Sequence, residues 1–171
     1  MANGYPGSGA GSRPGGERQA RGGDRRDRGE TGGGNEAARL NTAPIKLKAV
    51  DGAALSPDLF DRVARETARA IAGDARNQAN KPAQIRQFYD ELVMWDEKTR
   101  AAPERFPEFL PFIRMLNAKA AYSLGRRHVD RNFTDLIACC LEQVDDPATL
   151  RNFKIFFEAF LGFYKQERPS G

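Results

Sequence analysis

The sequence predicts an all-α fold: a compact bundle of about five helices preceded by a disordered Gly/Arg-rich amino-terminal tail. Three observations lead there. From residue 57 onward, apolar residues recur at three- and four-residue steps, the period of a buried helix face. Serine–proline, lone proline and aspartate–proline signals stand ahead of these stretches, where helices begin. Residues 1–44, by contrast, are rich in Gly and Arg and carry no apolar period. Such a chain has too little to bury to offset its ordering entropy. The expected division is a tail over 1–44 and a helical domain over 45–171, long enough for a core of its own.

The elements come in this order. "IKLKAV", from Ile45, alternates apolar and basic residues and reads as a short extended arm. Ser56–Pro57 opens the first helix, with Leu59, Val63, Ala70 and Ile71 as its apolar face and Gly73 as its end. Pro82 opens the second. Ile85, Phe88, Leu92, Trp95 and Thr99 set its stripe, Tyr89 and Val93 widen it, and Pro103 stops it. The third starts near Pro107 with a kink, or properly at Pro111, because an interior proline removes a helical hydrogen bond. Phe109, Ile113, Leu116 and Ala120 face inward, and Gly125 is a natural stop. The fourth carries Val129, Phe133, Leu136, Ile137, Cys140 and Val144. Asp146–Pro147 repeats the cap-and-proline signal before an unusually apolar last helix, lined by Leu150, Phe153, Phe157, Phe160, Leu161 and Tyr164 and widened by Phe156 and Phe163. A helix this apolar is central to its bundle or buries a second flank on a partner.

Bulk composition narrows function. The chain has 171 residues, with 27 basic against 23 acidic side chains and a net charge of +4. An anionic partner is permitted, and placement of charge matters more than the small surplus. Cys139 and Cys140 are neither a disulfide framework nor a zinc signature, and they fit a reducing cytosol. No apolar run approaches the roughly 20 residues of a membrane span, and the amino terminus has no secretory apolar stretch. The expected location is cytoplasmic, with no membrane partner.

Catalysis finds little support. His128 is the one histidine, and two arginines precede it. One histidine and two vicinal cysteines cannot build a four-ligand zinc site. No phosphate-binding loop, dinucleotide fingerprint, zinc-protease or nucleophile-elbow motif occurs. We therefore expect no catalytic residues, no metal and no cofactor. Cys140 falls on an apolar stripe and reads as a small core residue.

Nucleic-acid binding finds more. Lys119, Tyr122, Ser123 and Arg126 fall at i, i+3, i+4 and i+7 of the third helix and share a face. Arg127 and His128 continue past Gly125, and no acid lies between Glu108 and Asp130. Cations on such a face pair with phosphates, and tyrosine stacks on a base. Lys81, Gln84, Arg86 and Gln87 gather near the start of the second helix, where free N–H groups favour anions. Lys154, with Arg151 and Lys165, adds charge to the last helix. The arginines of the first helix (62, 65, 69 and 76) stand among Asp58, Asp61, Glu66 and Asp74 and read as a self-paired face. Nothing encodes base specificity: no zinc finger, RRM or homeodomain pattern is present.

Three blocks, "KPAQIRQFYDELVMW", "FLPFIRMLNAKAAYSLGRRHVDRNF" and "LRNFKIFFEAFLGFYK", taken in that order and spacing, resemble the small helical subunit of the type III-A CRISPR–Cas effector, the Csm complex. The resemblance covers about residues 80–166. It implies an all-α fold of about five helices and a non-enzymatic role. Several copies would stack head to tail beside other effector subunits and help hold guide RNA and target RNA in a basic channel. Carried over by position, Gln84 and Arg86 in the second-helix motif and Lys119 and Arg126 in the third are expected to face RNA or a neighbouring subunit. Arg127, His128 and Lys154 are further RNA-binding candidates. The competing expectation is a helical adaptor that binds only protein, motivated by the apolar last helix.

Overall fold

The computed structural model describes residues 39–49, 54–73 and 78–168, and all of their regular structure is helical. Residues 1–38 of the expected tail, Val50 at the end of the arm, and Asp74 and Arg76 lie outside the described residues. Six α-helices occur among those described: α1 (Ala64–Ala72), α2 (Pro82–Ala101), α3 (Phe106–Arg114), α4 (Leu116–Gly125), α5 (Arg131–Glu142) and α6 (Pro147–Glu167). None is long and apolar enough to cross a membrane.

The last helix is the axis of the bundle. Asp146 caps it by accepting the Thr149 N–H at 2.7 Å, the Thr149 hydroxyl takes the Asp146 N–H in return, and Pro147 occupies the first turn. Phe153, Phe156, Phe157, Phe160 and Tyr164 are all buried. Successive rings from Phe153 through Phe157 and Phe160 to Tyr164 stand 6.0, 5.2 and 5.4 Å apart, distances at which offset and edge contacts attract. Helices α1 and α2 pack on α6, and Phe133 of α5 joins Phe157 to Phe88 of α2. Of the two explanations for this apolarity, the first holds: it is consumed inside the chain. Leu161 and Phe163, expected in or beside the stripe, are half-buried at its margin.

Register departs from the periodic reading in three places. A five-residue π-turn, Leu59–Val63, precedes α1, and its Val63 N–H donates to the Asp58 carbonyl five residues back. The extra residue rotates the helix behind it. Ala64, Thr67 and Ala68 face the core, and Ala70, expected there, is half-buried. On α2, Asp96 rather than Trp95 turns inward; it pairs with Arg100 at 3.4 Å, while Trp95 moves to the flank and stacks on Phe112. The expected third helix divides at Met115, whose N–H donates to Phe112 three residues back before ordinary spacing resumes at Lys119. The break between α3 and α4 thus falls four residues after Pro111, which sits inside α3 and is exposed.

Two ties hold the ends of these elements. The arm, expected to be extended, forms no strand among the described residues, and a bend falls at Lys48. Ile45 and Leu47 are fully buried, and side-chain amides serve its backbone. The Gln143 carboxamide accepts the Leu47 N–H at 2.9 Å and donates to the Ile45 carbonyl at 2.9 Å. Asn152 donates to the Leu47 carbonyl, and Asn132 accepts the Leu40 N–H. The chain is therefore engaged from Leu40 onward, ahead of Ile45. The second tie is Asn80, fully buried at φ +58°. Its side chain accepts the Asp130 N–H at 2.9 Å and donates to the Ile71 carbonyl at 3.1 Å. Its backbone N–H donates to the His128 carbonyl, and its own carbonyl accepts the Tyr164 hydroxyl.

Candidate functional site

Helix α4 presents Lys119, Tyr122 and Ser123 on one face, and Arg126, the residue that follows the helix, continues it. With Met115 and Ala118 they form one wall of a groove of about 690 Å³. Gln84, Gln87, Phe88 and Glu91 of α2 form the other wall, and His128 also lines it. A volume of this size is in the range of ligand-binding clefts. Phe88 is buried, whereas the Tyr122 ring is 65 % exposed. Arg126 donates to the Tyr122 hydroxyl at 3.0 Å, with its guanidinium carbon 5.8 Å from the ring centre. The pair joins a cation to an aromatic surface that solvent reaches.

The groove is less positive than the acid-free run from Glu108 to Asp130 implies. Glu91, from the facing helix, pairs with the Lys119 ammonium. Sequence alone missed it because a run counts charges along one segment, whereas a groove collects them from two. A signal was available: Glu91 stands seven residues after Gln84 and four after Gln87, hence on their face of α2.

Helix α4 ends at Gly125, as expected, but the turn that closes it falls on later residues. Gly125 is the last helical residue and not the turn residue. The left-handed conformation falls on Arg127, at φ +58°. Arg127 N–H donates to Leu124 and His128 N–H to Ser123, the paired bonds that close a helix C-terminus. Arg127 is exposed, and His128 is half-buried with its backbone fixed on both sides. Asp130, the carboxylate nearest in sequence, caps α5 by accepting the Phe133 N–H at 2.9 Å, so it is engaged at the helix start. Among the described residues no cluster of His, Cys, Asp and Glu has the arrangement of a metal site. Cys140 is fully buried, and burial pushes its thiol well above the ordinary value, leaving a packing residue.

The seven candidates therefore separate. Gln84, Lys119, Arg126 and His128 line one groove, and Arg127 lies at the end of α4. Arg86 and Lys154 stand elsewhere, around Tyr89, and both are paired within the chain. Arg86 bonds Asp90 at 2.9 Å and lies over the Tyr89 ring at 5.2 Å. Lys154 bonds Glu158 at 2.8 Å. That hydrogen bond holds the lysine ammonium more firmly charged and the glutamate below its usual value. The arginines of α1 and its leading turn are self-paired as expected: Arg62 with Asp58 and Glu66, and Arg65 with Asp61. Arg69 reaches Glu167 of α6 instead.

The family model described as Csm2 Type III-A matches residues 57–170 of the chain. No curated protein and no solved structure matches it significantly.

Proposed function

The chain belongs to the Csm2 Type III-A family and is thereby a small subunit of a type III-A CRISPR effector; from that premise we propose that it is a non-catalytic, cytoplasmic subunit that holds RNA by its backbone in the groove between α2 and α4. The observation that carries the reading is the convergence of Lys119, Arg126 and the exposed Tyr122 on one wall of that groove. Cations of this kind position phosphates without reading sequence. Base pairing between guide RNA and target RNA supplies the sequence, and the protein holds shape and charge; the handling of a paired guide by a different effector has the same division. Other effector subunits and copies of the same chain, stacked head to tail, complete the channel. The apolar residues of α6 do not support that stacking, since they are covered within the chain.

Arg126→Ala combined with Lys119→Ala is expected to weaken binding of a short single-stranded RNA by about tenfold or more at low salt, the size of losing one good charged hydrogen bond. Glu91→Gln acts in the opposite direction, because it frees the Lys119 ammonium for phosphate. All three side chains lie on the groove rather than in the core, so circular dichroism should be unchanged. Equal affinity of the wild type and the double variant would contradict the assignment.

A protein-only adaptor is the second reading, and one observation favours it. Phe112 and Met115 are 55 % and 53 % exposed on consecutive turns, and Trp95 stacks behind Phe112. An apolar surface of this kind is commoner at protein contacts than on free surface. Capture of effector subunits that survives RNase and high salt, with no RNA affinity in the isolated chain, would decide for it.

A further inference from the structure

We infer that the α2–α4 groove receives an unstacked nucleobase of single-stranded RNA, with the flanking phosphates held at its rim; this rests on the backbone-holding reading and deepens it. The groove contains more than phosphate contact uses. Its walls are mostly apolar, built from Phe88, Met115, Ala118 and the ring of Tyr122. A site that held phosphate alone would need Lys119 and Arg126 and would leave that apolar surface in water. A flat, partly apolar ligand covers it.

The polar groups of the groove fit the edge of such a ligand. Gln84 and Gln87 each bring a carboxamide, and Ser123 a hydroxyl. None of these three side chains has a hydrogen-bond partner among the described residues. A carboxamide both donates and accepts, and a hydroxyl does the same. Together they meet the mixed donor and acceptor edge of any base, which gives hydrogen bonding without fixed identity. Tyr122 supplies the stacking surface, and Arg126, bonded to its hydroxyl, adds a cation beside the ring. Recognition of single-stranded RNA commonly splays a base out onto such a platform.

The test compares a fluorescein-labelled oligouridylate with the matching abasic oligomer, using the full chain at low salt. The intact oligomer is expected to bind about tenfold more tightly than the abasic one, the size of one base–aromatic stack. Tyr122→Ala should abolish that difference, and Tyr122→Phe, which keeps the ring and loses the hydroxyl, should preserve it. Equal affinity of the two oligomers would overturn the base pocket and leave backbone holding intact. Equal weakening of both oligomers by Tyr122→Ala would also overturn it, by showing that Tyr122 acts only in placing Arg126. Absence of salt-sensitive binding to either oligomer would overturn backbone holding, and the base pocket with it.

Discussion

Asn80→Ala is expected to destabilise the fold by about 3 kcal/mol or more, a large effect for one polar side chain. The substitution removes two hydrogen bonds and strands both partners, the Asp130 N–H and the Ile71 carbonyl, in or near the core. A buried polar group left unsatisfied costs roughly 1–3 kcal/mol. Alanine at φ +58° adds about 1 kcal/mol of backbone strain that asparagine tolerates better. Asn80→Gly relieves the strain but not the lost bonds, so it should fall between wild type and alanine. Urea denaturation at constant slope measures both. A loss below about 1 kcal/mol for alanine, no more than an ordinary surface change, would show that Asn80 is not the tie described. The same residue borders the site: its backbone N–H, which either substitution keeps, donates to the His128 carbonyl at the edge of the groove. Burial pushes the Tyr164 phenol further above its ordinary value, so the hydroxyl stays protonated and donating to the Asn80 carbonyl well into the alkaline range.

The second large effect concerns the arm. Leu47→Ala is expected to cost about 3 kcal/mol, the usual range for a fully buried leucine. The double variant Ile45→Ala with Leu47→Ala should release the segment altogether. Lys46 and Lys48 are exposed on the same stretch, but the amides of Gln143 and Asn152 hold its backbone. Trypsin should therefore cut after Lys46 and Lys48 quickly in the double variant and slowly in the wild type. Equal cleavage rates would mean that the arm rests on the bundle without contributing to it.

Sequence periodicity placed the helices because each apolar stripe is local and repeats at the period of its own element. The cap at Asp146 and the proline starts at 82 and 147 are equally local. What failed was register across an insertion. Nothing in "LFDRV" announces a turn with one extra residue, and that residue moved Ala70 out of the core and Ala68 into it. Trp95 left its expected inward place for a similar reason: its position depends on Phe109 and Phe112, which arrive from a different helix. At the site, the Lys119–Tyr122–Arg126 face was legible as a helical spacing. Its opposite wall was not, because the approach of α2 to α4 across the groove is a tertiary event. The same event brought Glu91 to Lys119 and left Arg86 on another flank. The Gln143 clasp on the arm spans nearly a hundred residues of sequence, and a glutamine just past a helix end carries no sign of such a duty.

RNA phosphates held against Lys119 and Arg126 should leave their mark in the salt dependence of affinity. The most direct measurement is that dependence for single-stranded RNA, compared between the wild type and Lys119→Ala/Arg126→Ala. Each phosphate neutralised on a single strand contributes a slope of roughly −0.7 in log affinity against log salt. The double variant should therefore give a line shallower by about 1.4, meeting the wild type at high salt. Parallel lines would place the RNA on some other surface of the protein.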